Sequence, residues 1–313
     1  MLSDLSHDPA CQKASQQVAE ARKNPLEVPV VKSFFDEATN TISYVVHAQN
    51  NGQCAVIDSV LDYDASSATT ATRSVQKIID YVRSKQLQVQ WLLETHAHAD
   101  HLSAAPILTH ELGGQLAIGK HIGQVQRTFA SIFNTQGAQS GTADDFDHLF
   151  EDGDAFMIGS LPATVLHVPG HTPACLAYII GDCVFAGDTL FMPDYGTARC
   201  DFPGGDARTL YRSIQRLLRL PGEARVFMCH DYKAPGRDEF AWETTIEAER
   251  RHNVHVHEGI SESEFVAMRT ERDATLSTPK LLLPSIQVNV RGGKLPEPEA
   301  NGVRYLKIPI DTF

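Results

Sequence analysis

Glu94-Thr95-His96-Ala97-His98-Ala99-Asp100-His101 places three imidazoles and a carboxylate within six residues, directly after the apolar run Val89 to Leu93. That run reads as a buried strand, and Ser103 to Leu112, closed by Gly113-Gly114, reads as the helix that follows. A strand-end loop turns alternate side chains toward one point, and imidazole nitrogen with carboxylate oxygen suits zinc, iron and similar borderline cations. A polar loop with incidental histidines would crowd like groups for no gain, so the stretch marks a metal site.

Outward toward the N-terminus, Val28 to Val60 holds alternating apolar runs broken at Asp36 to Asn40 and at Asn50-Asn51-Gly52, the pattern of two or three antiparallel strands. Val75, Ile78, Ile79 and Val82 recur at helical spacing, which predicts an amphipathic helix over Thr70 to Ser84. Outward toward the C-terminus, a helix is expected over His121 to Phe133, then a long polar loop or insertion from Asn134 to Asp147. Strands follow at Ala155 to Ile158, Thr164 to Val168, Leu176 to Ile180, Cys183 to Ala186 and Arg225 to Cys229, with a helix around Leu210 to Leu218. Strands with interspersed helices, given twice, fit two packed sheets with helices outside. From Asp238 the chain reads as helical and charged, and Ser261 to Glu264 has the form of a capping box. Pro279 to Phe313 carries five prolines and Gly292-Gly293, which predicts an extended arm, suited to reaching a second subunit in a homodimer.

Three further residues stand at strand ends: His171 in Val168-Pro169-Gly170-His171-Thr172-Pro173, Asp188 after Gly187, and His230 in Met228-Cys229-His230-Asp231-Tyr232. Each alone is as well explained by capping or hydrogen bonding. In series with the six-residue cluster they become specific.

The ordered set His96, His98, Asp100, His101, His171, Asp188 and His230 resembles the metallo-β-lactamase superfamily over about Val30 to Tyr232. The resemblance implies an α+β fold, an αββα sandwich of two mixed β-sheets flanked by helices, with the metal site at one edge. It also implies that His96, His98 and His171 bind one metal, that Asp100, His101 and His230 bind a second, and that Asp188 bridges. The domain organisation expected is an N-terminal extension over 1–27, a catalytic domain over 28–257, and a C-terminal helix and arm over 258–313.

Fold alone does not fix function. His98 stands where flavodiiron oxygen reductases carry Glu, and there is no nuclease-type insert between the motifs. The segments Gly187 to Phe191, Arg199-Cys200-Asp201-Phe202, Thr209 to Ser213 and His230-Asp231-Tyr232 are similar to the persulfide dioxygenases, with Ala198 and Cys200 departing from the Gly and Thr of that pattern. This likeness implies one Fe(II) per chain on His96, His171 and Asp188, with His98, Asp100, His101 and His230 around it, the last positions becoming ligands if the centre is dinuclear. Asp100, His230 and Tyr232 would then serve catalysis, and Arg199, Tyr232 and Lys233 would contact the substrate. Arg199 is also placed to form an ion pair with Asp201 or Asp206. The implied reaction oxidises glutathione persulfide, or another low-molecular-weight persulfide, with O₂ to sulfite and thiol. The alternative is a dinuclear zinc hydrolase of a thioester, glyoxalase II-like, or of a lactone, and a third reading is a protein that keeps the metal for its fold.

Composition narrows the partners. Against 27 Lys+Arg stand 39 Asp+Glu, a net charge of −12, so phosphate backbones are repelled and no nucleic-acid partner is expected. No apolar stretch approaches ~18 residues, so no membrane span is expected, and the polar start lacks a secretion signal, which reads as cytoplasmic. Six scattered cysteines without a C-x-x-C pair suit reduced, buried thiols, Cys200 among them. His252, His255 and His257 read as a solvated or helix-end segment.

Overall fold

Strands Val30–Asp36 (β1), Thr41–His47 (β2) and Gln53–Ile57 (β3) pair antiparallel, as their alternation predicts. In the computed structural model, which describes residues 8–49, 52–135 and 141–312, every residue of β2 is buried. A strand buried on both faces needs a layer on each side, and the two layers differ in kind. Tyr44 and Val46 point to the facing sheet, while Val45 points to helices.

Short strands Val60–Asp64 (β4), Thr69–Ala71 (β5) and Leu102–Ser103 (β7) form a separate small sheet in the order β5-β4-β7. The first large sheet continues through Gln88–Leu93 (β6), Gln115–Gly119 (β8) and His148–Phe150 (β9), each parallel to its neighbour, in the order β1-β2-β3-β6-β8-β9. The second sheet runs in chain order: Ala155–Ile158 (β10), Leu161–His167 (β11), Leu176–Ile180 (β12), Cys183–Phe185 (β13), Arg225–Phe227 (β14) and Glu243–Thr245 (β15). Only its β13–β14 pair is parallel, and the connection between them contains a helix.

Three apolar clusters make the layers. Between the sheets lie Ile42, Ile57, Leu93, Val165, Tyr178 and Phe185. Outside the first sheet, Arg73–Ser84 (α2), Ala105–Leu112 (α3) and Ile122–Phe133 (α4) cover Val45, Val56, Leu92 and Ile118. Outside the second, Pro9–Ala21 (α1), Ala207–Leu217 (α5) and Glu262–Asp273 (α7) cover Leu166, Ile179 and Val184. The arrangement is the αββα sandwich expected. Helix α2 buries Val75, Ile78, Ile79 and Val82, the four residues whose spacing predicted it, and α1, in the segment read as an extension, buries Ala14 and Val18.

Two expectations need correction. The chain from Asp238 is not helical at first: β15 joins the sheet edge before the short helix Ile246–His252 (α6) begins. Pro279 onward is not simply an extended arm, because Leu282–Asn289 forms a helix (α8) that buries Leu282, Ile286 and Val288. Pro284 reads as a breaker but sits in the first turn, where its missing N–H would have had no intrahelical partner. The capping box at Ser261 is present as predicted, with both reciprocal bonds to Glu264. Of the polar stretch 134–147, residues 136–140 lie outside those described. Among the described residues no helix is long and apolar enough to cross a membrane. All six cysteines are buried and unpaired, as expected.

Candidate metal centre

The strands end where the chemistry gathers. The loop after β6 carries His96 to His101, the β11–β12 connection carries His171, Asp188 follows β13, and His230 follows β14. Two glycines permit the approach. Gly187 has φ +52°, and a Cβ there would lie 2.8 Å from the Thr95 side chain. Gly170 has φ +136°, and a Cβ would lie 2.3 Å from the Leu210 backbone, so only glycine lets the His171 turn rest on the start of α5.

Each imidazole is anchored through one nitrogen and leaves the other free. His171 Nδ1 donates to the Arg199 carbonyl at 2.7 Å. His98 Nε2 donates to Asp58 at 2.9 Å. His96 Nδ1 donates to Thr95 Oγ1 at 3.0 Å, since that hydroxyl itself donates to Asp58 at 2.9 Å. His101 Nδ1 meets Asp100 at 3.0 Å and Thr41 Oγ1 at 3.4 Å, and His230 Nδ1 meets the Asn40 carbonyl and Thr41 Oγ1, each at 3.3 Å. On the opposite sides, His96 Nε2, His98 Nδ1, His101 Nε2, His230 Nε2 and Asp188 Oδ1 are buried without a hydrogen-bond partner.

So many orphaned polar atoms in one place are costly unless a cation joins them. Asp188 Oδ2 lies 3.8 Å from His96 Nε2 and 3.7 Å from His171 Nε2, about the spacing of two donors that each sit about 2 Å from a shared ion. His96, His171 and Asp188 form one set whose donor atoms lie within 4.8 Å of one another, and Asp100, Asp188 and His230 form another. The residues present therefore fit a metal, and the anchored nitrogens supply the outer hydrogen bonds that fix ligand tautomers.

Electrostatics agree with a site built for positive charge. Burial works against the charge on Asp100, but the imidazoles of His230 and His101 outweigh it and hold the carboxyl well below the usual carboxylate range. Burial holds His96 well below the usual imidazole range, so its lone pair is available. At His98 burial is outweighed by Asp58 and Glu94, which raise it well above that range.

The centre opens to a cavity of about 570 Å³ lined by Asp100, His171, Asp188, Phe191, Tyr195 and Tyr232, with Arg272 and Lys280 from the C-terminal segment. Tyr232 is 40% exposed and stacks on His230 at 5.7 Å, so it is a wall of this cavity rather than a core residue. Arg199 also lines the cavity, but its guanidinium is taken by both oxygens of Asp201, at 2.6 and 2.7 Å, and by the Ser277 carbonyl at 2.7 Å. The ion-pair reading of Arg199 is the one the structure bears out. Lys233 lies over the ring of Phe240 at 4.4 Å and is not among the residues that line the cavity. Burial pushes the Cys200 thiol up to about 12, as suits an inert core thiol. His252 ends α6 and His255 and His257 follow it, as the helix-end reading has it, with His255 half-buried and its Nδ1 accepting the Thr197 N–H at 3.0 Å.

Sequence reasoning missed Asp58, Thr41, Glu94 and Asn289. Asp58 follows β3 with φ +49°, a special backbone position for a non-glycine residue that only the folded chain reveals. The other three carry no comparable mark.

With the geometry in view, the class is defined. The metallo-beta-lactamase superfamily model matches residues 38–230, and the chain belongs to that superfamily, as a metal-dependent enzyme. It is 54% identical over 293 residues to a probable metallo-hydrolase of Burkholderia pseudomallei, over 90% of this chain and 99% of the relative. It is 45% identical to glyoxylase B2 of Dictyostelium discoideum, over 90% and 97%. Human mitochondrial persulfide dioxygenase ETHE1 is 27% identical, over 84% and 89%. Among solved structures, ETHE1 from Myxococcus xanthus superposes with a TM-score of 0.67 at 29% identity, covering 85% of this chain and all of that one. The names of the nearer relatives stand with the hydrolase expectation, and the persulfide dioxygenases are more distant.

Proposed function

We propose that the centre is mononuclear and oxidative: an iron(II)-dependent dioxygenase of a low-molecular-weight persulfide such as glutathione persulfide. One observation carries this reading. His96, His171 and Asp188 form a two-histidine, one-carboxylate set in which His96 Nε2 and Asp188 Oδ1 have no hydrogen-bond partner and Asp188 Oδ2 lies 3.8 and 3.7 Å from the two imidazoles, whereas Asp100, the carboxylate of the other set, already accepts from Thr41 Oγ1 at 3.2 Å and meets His101 Nδ1 at 3.0 Å. A three-ligand face of this composition is the one used by non-haem iron oxygenases. The likeness to the ETHE1 proteins supports it.

Iron(II) held there would supply open coordination positions at which a persulfide sulfur and O₂ can meet. The balanced reaction takes persulfide, O₂ and water to thiol, sulfite and two protons. Within the chain, the Arg199 carbonyl sets the plane of the His171 ring, and Thr95 that of His96. Asp100 stands ionised at the cavity wall and can accept a hydrogen bond from a bound group there. Phe191, Tyr195 and Tyr232 form an aromatic wall that limits water beside the reacting sulfur.

A second reading is favoured by separate observations. His98 Nδ1, beside the first set, and His101 Nε2 and His230 Nε2, beside Asp100, also have no hydrogen-bond partner, as two metals' ligand sets would need, and the nearer relatives are named a probable metallo-hydrolase and a glyoxylase. In that case two zinc ions would serve hydrolysis of a thioester or lactone. Oxygen uptake by anaerobically purified, iron-loaded protein given glutathione persulfide separates the two. Stoichiometric O₂ consumption with one iron per chain supports the first. No uptake, with cleavage of S-lactoylglutathione or a lactone by protein holding two metals, replaces it with the second.

A further inference from the structure

Two of the four loops that carry the metal donors, the one after β6 and the one that orients His171, are tied to helices at the C-terminal end of the chain, outside residues 38–230. Asn289, at the end of α8, is 3% exposed and uses its whole amide on one loop. Its Nδ2 donates to the His98 carbonyl at 2.8 Å and to the His101 carbonyl at 2.7 Å, and its Oδ1 accepts from Ser103 N–H at 2.8 Å. These bonds clamp the turn on either side of Asp100. The partners are 186 to 191 positions away in sequence, so local turn preference cannot account for them.

The second tie comes from α7. Arg269 and Asp273 are both buried and bond each other, Nε to Oδ1 at 2.8 Å. Asp273 Oδ2 accepts from Cys200 N–H at 2.9 Å, and Arg269 Nη1 donates to the Thr197 carbonyl at 3.0 Å. Between those two bonds lies Arg199, whose carbonyl holds His171 Nδ1. A buried ion pair is weak evidence for stability, since the desolvation of both charges offsets their attraction. What this one does hold is the backbone that orients a metal donor.

We propose that α7 and α8 form a brace that sets the donor geometry of the metal centre, with Asn289 and Asp273 as positioning residues. The inference rests on the metal centre described above but on neither choice of reaction. Groups that orient ligands through hydrogen bonds change metal affinity about 10- to 100-fold when removed.

The test measures affinity for iron(II), under anaerobic conditions, and for zinc(II) by chelator competition at 25 °C, alongside the melting temperature of the metal-free protein. Asn289→Ala and Asp273→Asn should each bind at least about 10-fold more weakly. Ile286→Ala, on α8 but facing the core, should lower the melting temperature and leave affinity at the wild-type value. Rescue is expected from metal excess in the two brace variants. Wild-type affinity in both variants, or a loss no larger than that of Ile286→Ala, overturns the brace while leaving the metal centre standing. If Asn289→Ala gives no folded protein, Asp273→Asn decides alone, and if neither folds the two residues serve folding only and the proposal falls. A wild-type chain that takes up neither ion removes the metal centre and the brace together.

Discussion

Asp58 and His98 meet at 2.9 Å, carboxylate oxygen to ring Nε2, with both side chains buried and the other ring nitrogen turned toward the cluster of donors. The same carboxylate accepts from Thr95 N–H at 2.8 Å and Thr95 Oγ1 at 2.9 Å, so one side chain after β3 orients two histidines of the neighbouring loop. Asp58→Asn keeps the shape but removes the charge, and a proton on the wrong atom disrupts either bond. Metal affinity or turnover should fall about 10- to 100-fold. Titration of the purified variant with metal, with turnover read in parallel, checks this, and wild-type behaviour would show that the ring is held by packing alone.

Asp188 offers the opposite balance. Its Oδ1 is buried and makes no hydrogen bond, with His230 Nε2 3.3 Å away, a cost borne by the metal-free fold. Asp188→Ala should abolish turnover and yet leave the melting temperature of the metal-free protein equal to or above that of the wild type. Calorimetry of both proteins after exhaustive chelation measures it. A clear drop in melting temperature with residual activity would mean that Asp188 is structural.

Glu249 gives a pH dependence unrelated to the centre. Burial pushes its carboxyl up to about 8, from 4.5, with Asp194 adding to the rise, while the bond from Asn253 at 2.7 Å opposes it. The folded state therefore holds a proton that the unfolded chain releases above pH 4.5, so stability from this group is full below that pH. It is lost as pH rises to about 8, at about 1.4 kcal/mol per pH unit. Glu249→Gln should flatten this slope and be the more stable protein near pH 8. Urea melts between pH 5 and 8 test the sign, and parallel slopes in both proteins would refute it.

The cavity makes a prediction about charge. Arg199 is committed to Asp201, but among the described residues neither Arg272 nor Lys280 has an acidic partner, and both line the cavity. For a carboxylate-bearing substrate, Arg272→Gln or Lys280→Gln should raise KM about tenfold with kcat little changed, the loss of one charge-assisted hydrogen bond. Arg199→Gln should act mainly on stability. Steady-state kinetics on the three variants decide the matter, and a KM effect confined to Arg199 would reverse the assignment.

Local pattern made much of the molecule legible. Helix α2 followed from the spacing of Val75, Ile78, Ile79 and Val82, and the start of α7 from Ser261 and Glu264, because a helix period and a cap are properties of neighbouring residues. The donors were legible for the same reason: His96 to His101 are packed into one loop, and His171, Asp188 and His230 each stand at a strand end where side chains reach the sandwich edge. What escaped was set by partners far away in sequence. Helix α8 was hidden by Pro284, whose harmlessness depends on its place in the first turn, and by an apolar face that acquires meaning only against β7 and the first sheet.

The same division runs through the site. By itself the sequence determined which residue types could bind a metal, since ligand chemistry belongs to residue type, while their grouping into ligand sets came from the family resemblance. Only the tertiary structure decided which of their donor atoms are free, because that depends on what Asp58, Thr41, the Arg199 carbonyl and Asn289 already hold. It likewise brought Arg272 and Lys280 to the cavity wall. A side chain's charge is local, whereas its commitments are made across the fold.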